Sequence, residues 1–103
     1  MERIIEAINK SKSNRFMQES TKNFGYKLDE ANTDKVNLAF DVIDVIGDNS
    51  VKVSVAIEKL SESYADCKVN TSLQQYETRV PYGILSEFIK GIVKETQEIL
   101  LNG

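Results

Sequence analysis

Apolar and polar residues alternate in step along two neighbouring stretches of the chain. Val36, Leu38, Phe40 and Val42 alternate with Lys35, Asn37, Ala39 and Asp41, and Val51, Val53, Val55 and Ile57 alternate with Lys52, Ser54 and Ala56. A period of two is that of a strand with one face buried. Between the two runs lies Gly47-Asp48-Asn49-Ser50, four turn-forming residues that suit a hairpin loop. Phe40 and Val55 are therefore expected on one face of two paired antiparallel strands. A third run has Ala65, Cys67, Val69, Thr71 and Leu73 on one side, with Asp66, Lys68, Asn70, Ser72 and Gln74 on the other. The short polar connection Ser61-Glu62-Ser63 before it predicts a further antiparallel return, so the strands form a meander.

After Pro81 the period changes. Leu85, Phe88, Ile89, Ile92, Val93, Thr96, Ile99 and Leu100 recur at helical spacing, and Glu87, Lys90, Lys94, Glu95 and Glu98 fall largely opposite, which predicts a long amphipathic helix. Pro81 suits its first turn, because the ring presets a helical φ and the missing N–H is not needed there. Gly91 inside the helix costs about 1 kcal/mol against alanine, and close backbone packing, on the sheet or on a partner helix, is the reason expected for it.

Upstream, Ile4, Ile5 and Ile8 suggest a short helix ending near the polar run at residues 9–14. Phe24, Tyr26 and Leu28 alternate as a strand does, although Phe16, Ser20 and Phe24 also sit at helical spacing. A first strand within residues 15–28 is expected, with residues 29–34 as the loop into the second. The fold class is α+β: an antiparallel β-meander of three to four strands, packed with one long C-terminal helix and a short N-terminal helix. Residues 1–103 form one domain, divided into a helix over 1–12, the meander over 15–80 and a helix over 82–101.

A chain of 103 residues with 41% hydrophobic content supports one core, although a domain of this size buries only about two-thirds of its unfolded surface. Sixteen acidic against thirteen basic residues give a net charge of −3. That balance disfavours nucleic acid, which calls for a basic stripe, and disfavours an anionic membrane surface. Helix–three strands–helix is also the order of double-stranded-RNA-binding domains, but residues 81–89 contain neither lysine nor arginine. A single cysteine forms no internal disulfide, the N-terminus carries charges where a signal peptide is apolar, and no apolar stretch is long enough to span a membrane. A cytoplasmic location is expected.

Enzymatic chemistry finds little support. Without histidine the chain lacks the commonest general base and metal ligand, and neither a Ser-His-Asp nor a Cys-His arrangement can be built. Cys67 shares the apolar parity of Ala65 and Val69, which reads as a buried, inert thiol. Asp41 and Asp44 point to opposite faces of a strand. The segment 44–49 resembles a calcium loop only faintly and lacks its closing glutamate, and no glycine-rich phosphate loop is present. No catalytic, cofactor-binding or metal-binding residue is expected.

One irregularity carries information. After Val42 the residues Ile43 and Val45 are also apolar, and Leu60 lies on the opposite parity to Ile57. Either a bulge shifts the register or both faces are covered at that end. The cover is the N-terminal segment, a subunit interface or a groove for a client. Ile43, Val45 and Leu60, with Phe24 and Tyr26 of the first strand, form the candidate interaction surface.

The order of strands followed by a long helix led by Pro81-Tyr82 resembles the SecB export-chaperone family and its small SecB-like relatives. The resemblance covers residues 16–101, and its best parts are residues 35–42, 51–57 and 84–101. It implies a four-stranded antiparallel sheet backed by a long helix, dimers or tetramers built through sheet edges and helices, and ATP-independent binding of unfolded or extended polypeptide. The second helix and tail of that family have no counterpart here, and the N-terminal isoleucine-bearing segment is an addition. The resemblance thus implies the fold and partner binding rather than SecA-coupled export. The expected function is a SecB-like, protein-binding homo-oligomer that acts as chaperone or adaptor. The alternative is a small inhibitor or accessory protein of a phage or mobile element that blocks one specific partner.

Overall fold

The computed structural model describes residues 1–102 except Val45, Gly47 and Asp48. Five strands follow one another in the sheet in chain order, each antiparallel to the next: β1 (Thr21–Leu28), β2 (Lys35–Ile43), β3 (Ser50–Lys59), β4 (Tyr64–Asn70) and β5 (Gln75–Pro81). Helices α1 (Glu2–Ser13) and α2 (Arg15–Ser20) precede the sheet, and α3 (Leu85–Asn102) follows it through a single 3-10 turn, Tyr82–Ile84.

The alternation in β2 and β3 becomes one buried surface. Val36, Leu38, Phe40 and Val42 pair with Ile57, Val55, Val53 and Val51 in unbroken register, and every one of the eight is buried. Phe40 and Val55 thus share a face of paired strands, as the pattern requires. Of the connecting tetrapeptide, Gly47 and Asp48 lie outside the described residues; Asp44 N–H donates to the Asn49 carbonyl at 3.0 Å, closing the ladder before the turn. Against this surface α3 lays Leu85, Ile89, Ile92 and Val93, and α1 lays Ile4, Ala7 and Ile8. Each spacing is that of one stripe on a helix. The core is therefore two layers, sheet and helices.

The sheet has one strand more than the upper expectation of four. Thr71 and Leu73 do not continue β4: the Thr71 hydroxyl accepts the backbone N–H groups of Leu73 and Gln74, both at 3.0 Å, and Thr71 N–H donates to the Gln74 carbonyl at 3.0 Å. A side chain that satisfies turn amides ends a strand. The chain then returns as β5, with Tyr76, Thr78 and Val80 on the helix side.

Residues 15–20 are helical rather than part of the first strand. Asn14 starts α2, its Oδ1 accepting Met17 N–H at 3.2 Å, which is N-capping by a favoured residue. Strand β1 then carries an irregularity between Lys22 and Gly25, where one extra residue is accommodated opposite β2. Asn23 adopts a positive φ of 57°, tolerated best by asparagine among non-glycine residues. Its Nδ2 donates to Asp41 Oδ2 at 2.8 Å and holds the bulge.

Gly91 is not used for close packing within this chain. It is exposed, and a Cβ placed there meets no heavy atom within 4 Å.

Candidate functional site

The two faces of the sheet differ. The helix side is sealed: Leu38, Val55 and Val69, side by side in the middle strands, are 1%, 1% and 2% exposed. The outer side is open and forms a trough of about 1090 Å³ that reaches from β1 to β5. Register defines its floor. Gly25, Ala39, Ser54, Asn70 and Gln75 form one row across the five strands, and Lys27, Asn37, Ala56, Lys68 and Glu77 form the next. Both rows line the trough.

The residue types in those rows explain the hollow. Gly25, Ala39, Ser54 and Ala56 are small, so little stands up from the sheet at those four positions. Their outward direction follows from the alternation that buries their neighbours. Longer polar side chains surround this floor: Lys27, Asp29 and Glu30 on the β1 side, and Lys68, Gln75 and Glu77 towards β4 and β5. Charges of both signs are present, so the trough selects neither for anions nor for cations.

Side-chain amides give it its hydrogen-bonding character. Asn23, Asn37, Asn70 and Gln75 all line the trough, and each carboxamide both donates and accepts. Asn37 Nδ2 donates to Asp29 Oδ2 at 3.3 Å. Asp29 also accepts the N–H groups of Ala31 and Asn32 at 2.9 Å each. The Ala31 and Asn37 bonds, with that from Asn32, hold the Asp29 carboxyl below its ordinary value. On the rim towards β5, a hydrogen bond with Asp66 pushes the Glu77 carboxyl up, helped by the charges of Asp66 and Glu58 against that of Lys68.

The five residues expected to form an interaction surface do not come together. Tyr26, 39% exposed, pairs with Leu38 in the row of the helix side and borders the trough only at the β1 edge. Phe24 turns into the core at the bulge and stacks on Phe40, with ring centroids 5.4 Å apart and an interplanar angle of 16°. Ile43 is half-buried at the far end of β2, where its carbonyl accepts Gln97 Nε2 from α3 at 2.9 Å. Leu60, 47% exposed, follows β3 at the opposite end of that strand pair. Val45 lies outside the described residues. The trough itself escaped sequence reasoning because its floor is small and polar. The available signal was the run of small residues at outward positions on adjacent strands.

Cys67 is buried, and burial, with the Asp66 charge adding, pushes its thiol up to about 12. A thiol so hard to ionise is no nucleophile. Among the described residues, no group of three or more Cys, Asp or Glu side chains is placed to hold a metal ion, and no helix is long and apolar enough to cross a membrane. Comparison of the chain with protein-family models, with curated proteins and with solved structures finds no match.

Proposed function

We propose that this protein is a protein-binding module that takes a segment of extended polypeptide into the outer-face trough, without nucleotide, in the manner of a SecB-like chaperone or adaptor. The observation that carries the reading is the trough itself, open across all five strands over a floor of Gly25, Ala39, Ser54 and Ala56. The small residues leave room for a chain and its side groups. The carboxamides of Asn37, Asn70 and Gln75 match the donors and acceptors that every peptide bond carries, so recognition follows the backbone rather than one sequence. Lys27, Lys68, Asp29 and Glu77 meet charged side chains of either sign.

The test is fluorescence anisotropy with a labelled, carboxymethylated polypeptide that cannot fold, in the absence of nucleotide. Ala39→Lys places a long charged side chain on the floor at an exposed position and should weaken binding by about tenfold or more, with the melting temperature little changed. Leu60→Ser, away from the trough, should leave affinity unaltered. No binding by the unsubstituted protein, or equal binding by Ala39→Lys, defeats the reading. Tight one-to-one capture of a single folded protein, with no affinity for unfolded chains, would point to the inhibitor or accessory role instead.

A further inference from the structure

The five-stranded sheet does not close, so it has two edges, and the chain treats them differently. An open edge offers unpaired N–H and C=O groups to any strand that arrives. On β1 the bulge between Lys22 and Gly25 breaks the edge, and Lys22 and Lys27 are both exposed there. Bulges and lysines are the ordinary means of blocking an edge. On β5 the ladder is regular: Gln75–Pro81 pairs with β4 residue for residue without a shift, no lysine stands on the strand, and proline, a further edge-blocking residue, comes only at its last position, Pro81.

The ladder shows which groups face outward. Tyr82 N–H donates to the Ser63 carbonyl at 3.2 Å, and Thr71 N–H donates to the Gln74 carbonyl at 3.0 Å. Hydrogen-bonded pairs recur every second residue in an antiparallel ladder. The backbones of Tyr76, Thr78 and Val80 therefore bond to β4, and those of Gln75, Glu77 and Arg79 point to the open edge. Pro81, the next in that series, places its missing N–H where no ladder bond is lost.

We propose that β5 is a self-pairing edge, at which two copies of this chain join antiparallel about a twofold axis through Thr78 to form a continuous ten-stranded sheet. Charge complementarity selects both the occupant and the register. Residues opposite one another must share a face, so the axis passes through a residue rather than between two. An axis at Thr78 sets Glu77 against Arg79 of the second copy and Arg79 against its Glu77, and each such pair exchanges both amide–carbonyl bonds. An axis at Glu77 or at Arg79 instead sets like charges directly opposite, which destabilises a strand pair. Around the Thr78 axis the helix-side residues agree as well: Tyr76, half-buried in the single chain, meets Val80 of the second copy, and Thr78 meets Thr78, a favoured cross-strand pair.

Glu77 and Arg79 have neighbours within the single chain that the pairing leaves in place. Glu77 stands opposite Lys68 and beside Asp66, and Arg79 stands opposite Asp66 with its guanidinium 5.8 Å over the Tyr64 ring. The local excess of carboxylate around Glu77, to which Glu58 also contributes, is what an arginine from a second copy would neutralise. An edge of this length is a small interface, so the dimer is expected to be of micromolar strength. The assignment is independent of what the trough binds.

Sedimentation equilibrium over a broad concentration range tests it with two charge reversals that sit at exposed positions. Glu77→Arg opposes arginine to arginine and Arg79→Glu opposes glutamate to glutamate, so each alone should raise the dissociation constant by about tenfold or more. An equimolar mixture of the two should associate again as a heterodimer, because every pair across the axis is then of opposite sign, and the doubly reversed chain should regain the original affinity. Circular dichroism melts of each variant confirm that the fold survives. A monomer throughout the range for the unsubstituted chain overturns the proposal. So does a dimer indifferent to both reversals, and so does a mixture that fails to associate. Pairing of β5 with an added strand of another protein but never with itself would likewise overturn it.

Discussion

Replacing Gly91 by alanine should make this protein more stable. From sequence alone, close backbone packing on the sheet or on a partner helix is the reason expected for a glycine in the middle of a long amphipathic helix. In the structure Gly91 lies within α3, faces solvent, and has no heavy atom within 4 Å of the position a Cβ would occupy. No steric cost therefore opposes the gain in helix propensity. Alanine is favoured over glycine in an exposed helix interior by about 0.8–1.0 kcal/mol, mainly because glycine leaves more backbone freedom in the unfolded chain. For a domain of about 100 residues, 1 kcal/mol raises the melting temperature by roughly 4–8 °C. Urea denaturation gives the free energy and a thermal melt gives the temperature. Both should be recorded at several protein concentrations, because self-association makes apparent stability depend on concentration. An unchanged m-value with a higher midpoint is the expected result. A lower midpoint, or a gain seen only in dilute solution, would refute the reasoning, because something then packs on Gly91 in solution.

Two further perturbations read the core. The Cys67 thiol ionises near 9.0 when free and only at about 12 in the fold, so between those values the folded chain holds the proton that the unfolded chain releases. Stability is full below about pH 9 and falls as pH rises, with a slope from this group of at most about 1.4 kcal/mol per pH unit; Tyr76 and Tyr82, raised chiefly by burial, act in the same direction. Cys67→Ala should cost about 1 kcal/mol at neutral pH and flatten that alkaline decline, and native-state thiol labelling should be slow. Rapid labelling of the folded protein would contradict the burial. Tyr82→Phe removes the hydroxyl that donates to the Ser61 carbonyl at 3.0 Å and should cost about 0.5–1.5 kcal/mol in urea, whereas a neutral result would mean that water takes over that bond.

What the sequence made legible follows how each element is buried. The pairing of β2 with β3 could be read directly, because one face is wholly buried and large while the other is small or polar along most of its length, and α3 because its stripe is long. Strand β5 was missed because it is an edge. Of its inward residues only Val80 is buried, while Tyr76 and Thr78 are partly covered and need not be strongly apolar, and Glu77 and Arg79 between them look like a loop. Helix α2 spans too few residues to show a period, and its one clear signal is the Asn14 cap. Phe24 has the expected alternation but enters the core through a bulge, which adds a residue that alternation cannot anticipate. The trough was illegible for a different reason. A search for exposed apolar residues finds Ile43 and Leu60, while a hollow is made by the absence of bulk at Gly25, Ala39, Ser54 and Ala56, and small residues leave no hydrophobic signature.

Because the strands lie in the sheet in the order in which they occur in the chain, the sheet can grow as the chain is synthesised, each strand docking on the one before it through a short loop. Such local connections favour rapid folding. The N-terminal helix stands outside this order. Its apolar stripe of Ile4, Ala7 and Ile8 shares a core with α3, and Ser11 Oγ reaches the Ser86 carbonyl at 3.4 Å, so α1 finds its permanent neighbour only after all five strands and α3 have been made. For most of the time of synthesis those isoleucines, and the inner face of the growing sheet, have no lasting cover. The vulnerable interval in the life of this protein is therefore its birth, and it ends when α1 meets α3.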